Sequence, residues 1–247
     1  MEDPKTAIII PVKSFEKSKT RLSRYLTLEQ RIELCRHFVN DLVKKVSRLE
    51  RCQIIFITNE FINLPDSLRD KFLTIDEGMN SGVNKAVSLA DSYITKAGFD
   101  SSLVIPIDIP LFNLSQINEI LHYSKGFREG ICIVPSYRYD GTNILLRKPH
   151  TVIETSYDDN SFFNHLRRGM EKGVSVKVFD FENLKTDVDT IEDIMLIFKK
   201  YVFTTSEQLN KVVNTSHQSN SKIILENNNS ALNYLLEILS QNQDLWL

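Results

Sequence analysis

Short β-branched apolar segments alternate with segments of helical periodicity along the first two hundred residues. Strands are predicted at residues 7–12, 53–58, 72–75, 102–107, 131–135, 140–147 (where a turn leads into the strand) and 174–179. Helices are predicted over 83–96, near 114–125 and 161–172, and after residues 27 and 190. Because helices that connect buried strands cover the two faces of a sheet, this order predicts an α/β fold, a three-layer α/β/α sandwich around a mainly parallel sheet.

The composition changes near residue 205. Asn, Ser and Gln make up 13 of the 25 residues from 206 to 230, which is typical of a linker. We therefore expect one domain over 1–204, an Asn/Ser-rich linker over 205–230 and an amphipathic helix over 231–247. That helix carries a stripe of leucines at helical spacing and needs an apolar surface, in its own domain or in another subunit. The stripe consists of Leu232, Leu235, Leu236 and Leu239.

Charge and cysteine content exclude several classes of protein. Lys and Arg total 30 against 32 Asp and Glu, so the net charge is −2 and no polycationic surface for nucleic acid is expected. The three cysteines are widely separated, which is unlike a disulfide framework or a zinc site and favours the cytoplasm. We expect neither a signal peptide nor a membrane-spanning segment, because no apolar run is long enough.

A basic segment follows the first predicted strand. Residues 13–24 hold five cations and no glycine, so a glycine-rich phosphate-binding loop is excluded. Ligands of α/β sheets bind at the carboxyl ends of the strands, where Lys13, Lys19 and Arg21 could meet a triphosphate. The alternative is a solvated basic loop without function.

Three aspartates lie at junctions between strands and helices. Asp108 stands between two prolines directly after a buried strand, and Asp187 and Asp189 are two residues apart in an extended segment. Residues with that spacing point the same way, and Mg²⁺ prefers carboxylates together with phosphate oxygens. The pattern favours a magnesium site, whereas turn or helix-capping roles are the alternatives.

Short polar side chains mark two further junctions. Thr142 and Asn143 follow the Asp140-Gly141 turn, and Ser161 follows Asn160 at a helix start that suits an anion. An ordinary turn and a plain N-cap are the alternative interpretations. The five histidines show no ligand spacing, and His165 is expected to be a surface or core residue.

In chain order, these motifs resemble the CofC/FbiD-type guanylyltransferases of coenzyme F420 biosynthesis. The resemblance covers about residues 6–200. The matching motifs are Ile10-Pro-Val-Lys13, Lys19-Thr-Arg-Leu-Ser23, Gly82-Val-Asn84, Asp108-Ile-Pro110, Asp140-Gly-Thr-Asn143, Ser161-Phe162 and Asp187-Val-Asp-Thr190.

The resemblance implies a nucleotidyltransferase fold of the glycosyltransferase-A type. It also implies transfer of GMP from GTP to 2-phospho-L-lactate or phosphoenolpyruvate, with release of pyrophosphate, and a homodimer as the family-like state. In the family, the aspartates matching Asp108, Asp187 and Asp189 hold Mg²⁺, and the residues matching Thr142 and Ser161 contact the acid.

The remaining roles are expected from the chemistry of the side chains together with what the resemblance implies. Lys13, Lys19 and Arg21 are expected to bind the nucleotide phosphates, Lys19 and Arg21 acting in catalysis together with Asp108. The loop containing Gly82 and Asn84 is expected to cradle the base and ribose. Asn143 and the backbone of Asp158 are expected beside the acid.

Two alternatives stay open. A related nucleotidyltransferase or glycosyltransferase could use another acceptor, and a non-catalytic nucleotide-binding module could recruit a partner through its tail helix. The chain also departs from the family before Ser161, where Asp158-Asp159-Asn160 replaces a stretch that usually contains glycine.

Overall fold

A computed structural model describes residues 5–78, 82–200 and 229–241. Seven strands form one sheet: β1 (Thr6–Pro11), β2 (Cys52–Ile57), β3 (Phe72–Ile75), β4 (Ser101–Val104), β5 (Gly130–Pro135), β6 (Thr142–Lys148) and β7 (Ser175–Val178). The α-helices are α1 (Leu28–Val46), α2 (Val83–Ala97), α3 (Leu114–Ser124), α4 (Ser161–Glu171), α5 (Glu182–Lys185), α6 (residues 191–200) and α7 (Ser230–Gln241). Short 3-10 helices span Phe15–Lys17, Thr20–Leu22 and Asp66–Lys71.

The strand order is β3-β2-β1-β4-β6-β5-β7. Strands β3, β2, β1 and β4 are parallel, with Ile8 level with Ile54 on one side and Leu103 on the other. Strand β6 runs antiparallel to β4 and β5, and β7 is parallel to β5. The prediction of a mixed, mainly parallel sheet is confirmed.

Helices cover both faces of the sheet, because successive strand residues point to opposite faces. Ile8 and Ile10 pack with residues of α1 and α3, whereas Ala7 and Ile9 pack with α2. Helix α4 covers the same face as α2 beside β5 and β6, where Phe162 lies in the core. The resulting three-layer architecture is the predicted one.

Capping signals place the ends of two helices as predicted. Thr27 and Gln30 form the reciprocal capping box of α1. The Thr190 backbone N–H donates to Asp193 (2.8 Å) at the start of α6. Strand β4, in contrast, ends three residues before the predicted boundary, since Pro106 has no N–H to continue the ladder.

Helix α7 packs against the domain itself. The buried Asp41 of α1 accepts hydrogen bonds from the Ser230 hydroxyl (2.8 Å) and the Ala231 N–H (2.9 Å). Leu232 and Leu235 are buried with Leu34 and Phe38 of α1. These two leucines therefore cover their own domain and offer no argument for a dimer. Most of the expected linker lies outside the described residues, and the division at 205 stays a prediction.

The three cysteines are unpaired thiols. Within the described residues, no helix is both long enough and apolar enough to traverse a bilayer.

Candidate functional site

A cavity of about 510 Å³ opens at the carboxyl ends of β1 and β4. Its walls include Arg21 after β1, Asp108 after β4, Thr142 at the start of β6 and Ser161 at the start of α4. The chain continues from β1 to β2 on one side, while β4 lies on the other, so this edge is a topological switch point of the sheet. Ligands of open α/β sheets bind at such points.

The structure brings the three predicted aspartates together in this cavity. One carboxylate oxygen from each of Asp108, Asp187 and Asp189 lies within 4.8 Å of the other two. The Val188 N–H donates to the Asp108 carbonyl (3.0 Å), which ties the two segments to each other. Because Val188 is buried in the core, its two neighbours both turn toward Asp108.

Lys19 is buried against this acidic triad, and its side chain is only 6% exposed. Its ammonium group donates to Asp108 and, over 3.0 Å, to Asp189. Burial by itself lowers the Lys19 pKa, but the charges of these two aspartates outweigh it and raise that pKa. Lys19 also has a left-handed backbone (φ 55°), a strained conformation of the kind that clusters at functional sites.

The triad carries more negative charge than its cations neutralise. Burial, followed by the charges of Asp108 and Asp189, raises the pKa of Asp187 to about 7. The Lys19 charge instead lowers the pKa of Asp189. Arg21 is exposed, with its guanidinium 3.9 Å from Asp189. The donor set is therefore three clustered carboxylate oxygens in a partly desolvated site, which suits a hard divalent cation.

The opposite wall holds two buried hydroxyl groups. The Thr142 N–H donates to Ser161 Oγ (2.8 Å), which joins β6 to α4. Thr142 Oγ1 lies 3.0 Å from Nδ1 of His165, which is completely buried. Asn143 donates to the Leu184 carbonyl (2.9 Å) and to Asp187 (3.3 Å), so it links this wall to the triad.

The segment before Ser161 contains one residue with a left-handed backbone, an asparagine. Asn160 has a left-handed backbone (φ 58°), a conformation that asparagine tolerates better than most residues. Asn160 is the N-cap residue of α4, and its carbonyl accepts from the Asn164 N–H (3.0 Å), but its side chain makes no capping hydrogen bond. Asp158 lines the cavity and accepts a hydrogen bond from Asn84 (3.2 Å).

Some predicted nucleotide-binding residues lie apart from the described cavity lining. Lys13 is exposed outside it, and Gly82 and Asn84 flank Val83, which does line it. The Asn84 side chain accepts from the Tyr157 N–H (2.8 Å) and so holds α2 against the loop before α4. Residues 79–81 of the expected cradle lie outside the described residues.

Sequence reasoning did not assign three residues that shape this site: His165, Tyr137 and Arg138. His165 is four residues after Ser161 on α4, and that spacing alone places both on one helix face. Tyr137 and Arg138 line the cavity from the β5–β6 connection. A connecting loop shows no periodicity, so no comparable signal pointed to them.

Comparison with solved structures shows a nucleotidyltransferase-type fold. A protein from Desulfovibrio desulfuricans G20, assigned as a nucleotide-diphospho-sugar transferase, aligns with a TM-score of 0.66 over 97% of this chain and 98% of that one. The sequences are 17% identical, so the likeness concerns the fold.

Comparison of sequences finds relatives of higher identity than this structure. A 2-phospho-L-lactate guanylyltransferase from Methanocaldococcus sp. (strain FS406-22) is 31% identical, covering 89% of this chain and 94% of the relative. The enzyme of the same name from Methanocaldococcus infernus is 32% identical, covering 85% and 94%. The model of the family described as guanylyl transferase CofC-like matches residues 6–237. The chain belongs to this family.

Proposed function

We propose that this protein transfers GMP from GTP to a phosphorylated three-carbon acid, 2-phospho-L-lactate or phosphoenolpyruvate, and releases pyrophosphate. In coenzyme F420 biosynthesis this joins the acid to guanosine through a diphosphate. The names of the relatives support the reaction class. The observation that carries the proposal is one cavity lined both by the three aspartates, two of which bind the buried Lys19, and by the paired Thr142 and Ser161 residues.

The proposed reaction forms one bond and breaks another at the α-phosphorus of GTP. A phosphate oxygen of the acid attacks, and the bond to the β-phosphate breaks with its electron pair leaving on pyrophosphate. The attacking phosphate is already ionised, so no general base is needed. Catalysis then depends on positioning and on neutralising crowded anions. The exposed Arg21 can contact a leaving phosphate directly, while Lys19 neutralises the carboxylates beside it.

Magnesium is part of the proposal. Asp108, Asp187 and Asp189 would hold the ion, since their oxygens cluster within 4.8 Å and burial, followed by the two neighbouring carboxylates, raises the pKa of Asp187. When bound, Mg²⁺ would supply charge neutralisation for the phosphate groups. The hydroxyls of Thr142 and Ser161 would orient the acid from the opposite wall.

The test is pyrophosphate release from GTP, Mg²⁺ and each acid. The wild type should release pyrophosphate with phospholactate or phosphoenolpyruvate and should do so poorly when CTP or UTP replaces GTP. Absence of pyrophosphate release with every phosphorylated three-carbon acid would contradict the proposal. A preference for CTP, UTP or a nucleotide sugar would indicate another transferase, and GTP binding without turnover would indicate a non-catalytic module.

A further inference from the structure

The His165 imidazole lies beneath the acid-facing wall with both ring nitrogens engaged. The Ser156 backbone N–H donates to Nε2 over 2.8 Å, and Thr142 Oγ1 lies 3.0 Å from Nδ1. All three residues are buried. A backbone N–H can only donate, so Nε2 must be the bare, accepting nitrogen.

This contact determines where the imidazole proton resides. Burial, followed by the charges of Arg147 and Arg168, lowers the His165 pKa to about 3, so the ring is neutral at ordinary pH. A neutral ring with bare Nε2 carries its proton on Nδ1. Nδ1 therefore donates to Thr142 Oγ1, and the Thr142 hydroxyl cannot donate to the histidine.

The hydroxyl groups of Thr142 and Ser161 consequently both act as hydrogen-bond acceptors within the protein. Thr142 Oγ1 accepts from His165, and Ser161 Oγ accepts from the Thr142 N–H. Each hydroxyl keeps its own proton, and no described residue accepts that proton. Both residues line the cavity. A pair of donors at this wall fits an anionic oxygen.

We propose that His165 is a positioning residue, which commits the Thr142 hydroxyl, beside that of Ser161, to donating hydrogen bonds to an anionic oxygen of the acid. The inference rests on the proposed function for the identity of that acid. The nearby carboxylates of Asp158 and Asp159 would repel an anion. Oriented hydroxyl donors therefore carry more of the recognition at this wall.

Two substitutions separate the contacts of the imidazole. In His165→Asn, the amide nitrogen takes the place of Nδ1 and can donate to Thr142, while the Ser156 N–H loses its acceptor. In His165→Gln, the amide oxygen takes the place of Nε2 and can accept from Ser156, while Thr142 loses its donor. His150→Gln is the matched control, because His150 is also buried and bonded to a threonine, Thr95 (2.8 Å), outside the cavity lining.

The experiment measures kcat and KM for the acid and KM for GTP in all three variants. His165→Gln should raise the acid KM about 10-fold, and His165→Asn less than about 3-fold, with kcat and the GTP KM nearly unchanged. His150→Gln should leave all three values unchanged. Equal effects of Asn and Gln on the acid KM, or a loss of thermal stability alone, would overturn the proposal.

Nitrogen NMR of the ¹⁵N-histidine-labelled wild type provides a test that needs no turnover. The His165 signals should show a protonated Nδ1 and a bare Nε2, and the reverse assignment would overturn the inference. If the wild type turns over no acid, the proposed function fails, whereas this measurement still decides the state of His165.

Discussion

Two buried cations in this protein, Arg147 and Lys19, differ in the number of carboxylates that surround them. Arg147 on β6, 1% exposed, is paired one-to-one with Asp91 on α2 through two hydrogen bonds of 2.6 and 2.9 Å. The Ser102 hydroxyl accepts a third hydrogen bond (2.9 Å) from the same guanidinium. Lys19 instead faces a cluster of three carboxylates, of which it contacts two.

We call the Arg147–Asp91 pair closed, because one cation faces one carboxylate, and the cluster around Lys19 open, because one cation faces three. The charges of Arg147 and Asp91 cancel, and their bidentate geometry joins the sheet to α2. Lys19 contacts only two of the three aspartates, and burial, followed by the charges of Asp108 and Asp189, raises the pKa of the third, Asp187. The first pair should therefore matter for folding, and the second for binding a cation and for catalysis.

Breaking the closed pair should have the largest effect. Arg147→Met leaves the Asp91 carboxylate without its partner and should lower the free energy of unfolding by about 3 kcal/mol or more, as for other interrupted buried pairs. Urea denaturation measures this loss. Arg69→Met is the matched control, since Arg69 is exposed and pairs with exposed Asp66 (2.8 Å), and it should cost less than about 1 kcal/mol. Equal losses in the two variants would contradict the comparison.

Removing one charge from the open cluster should affect turnover instead. Asp108→Asn is nearly isosteric and should reduce kcat/KM at least about 100-fold, because metal and phosphate lose electrostatic stabilisation. Its free energy of unfolding should fall less than that of Arg147→Met, because Lys19 keeps its contact with Asp189 and one of three mutually repelling charges is removed. Asp159→Asn, a cavity-lining control outside the triad, should change the rate less than about 3-fold. Unchanged turnover in Asp108→Asn would remove this residue from the site.

The smallest expected effect is a pH dependence of the metal-free protein. The folded-state pKa of Asp187, about 7, lies above its ordinary value of 3.8. Its contribution to stability is thus present below pH 3.8 and is lost as pH rises through 7. Relative to the wild type, Asp187→Asn should gain more than about 1 kcal/mol between pH 4.5 and 8 in EDTA.

Urea denaturation at both pH values measures this gain. Adding Mg²⁺ at pH 8 should then stabilise the wild type more than Asp187→Asn. If the free energy of unfolding changes equally with pH and with Mg²⁺ in the wild type and in Asp187→Asn, then the cluster of Asp108, Asp187 and Asp189 holds no excess negative charge.

The features predicted best from the sequence are those governed by periodicity or by strand ends. The alternation of apolar strand segments with helical segments predicted the layers of the sheet, and the junctions between strands and helices indicated a shared site for Asp108, Asp187 and Asp189. A short capping motif was enough to place the start of α1 at Thr27. In each case, the neighbours in sequence carry the necessary information.

The remaining features depend on contacts between distant segments. Lys19 lies in a basic loop that resembles a solvated one, and only its contacts with Asp108 and Asp189, 89 and 170 residues away, explain its burial. The partners of His165 belong to β6 and to the loop before α4. The leucine spacing of α7 predicts an apolar face but does not identify the surface that it covers. That surface is on α1, which is distant in the sequence.

The reaction product shows whether the protein is a guanylyltransferase for a phosphorylated three-carbon acid. Wild-type protein incubated with GTP, Mg²⁺ and phospholactate or phosphoenolpyruvate should be followed by ³¹P NMR and mass spectrometry. We expect equal amounts of pyrophosphate and of a compound in which GMP is joined to the phosphate of the acid, and Asp108→Asn should form far less of both. Formation of GDP and inorganic phosphate, or recovery of intact GTP with every acid, would contradict this expectation.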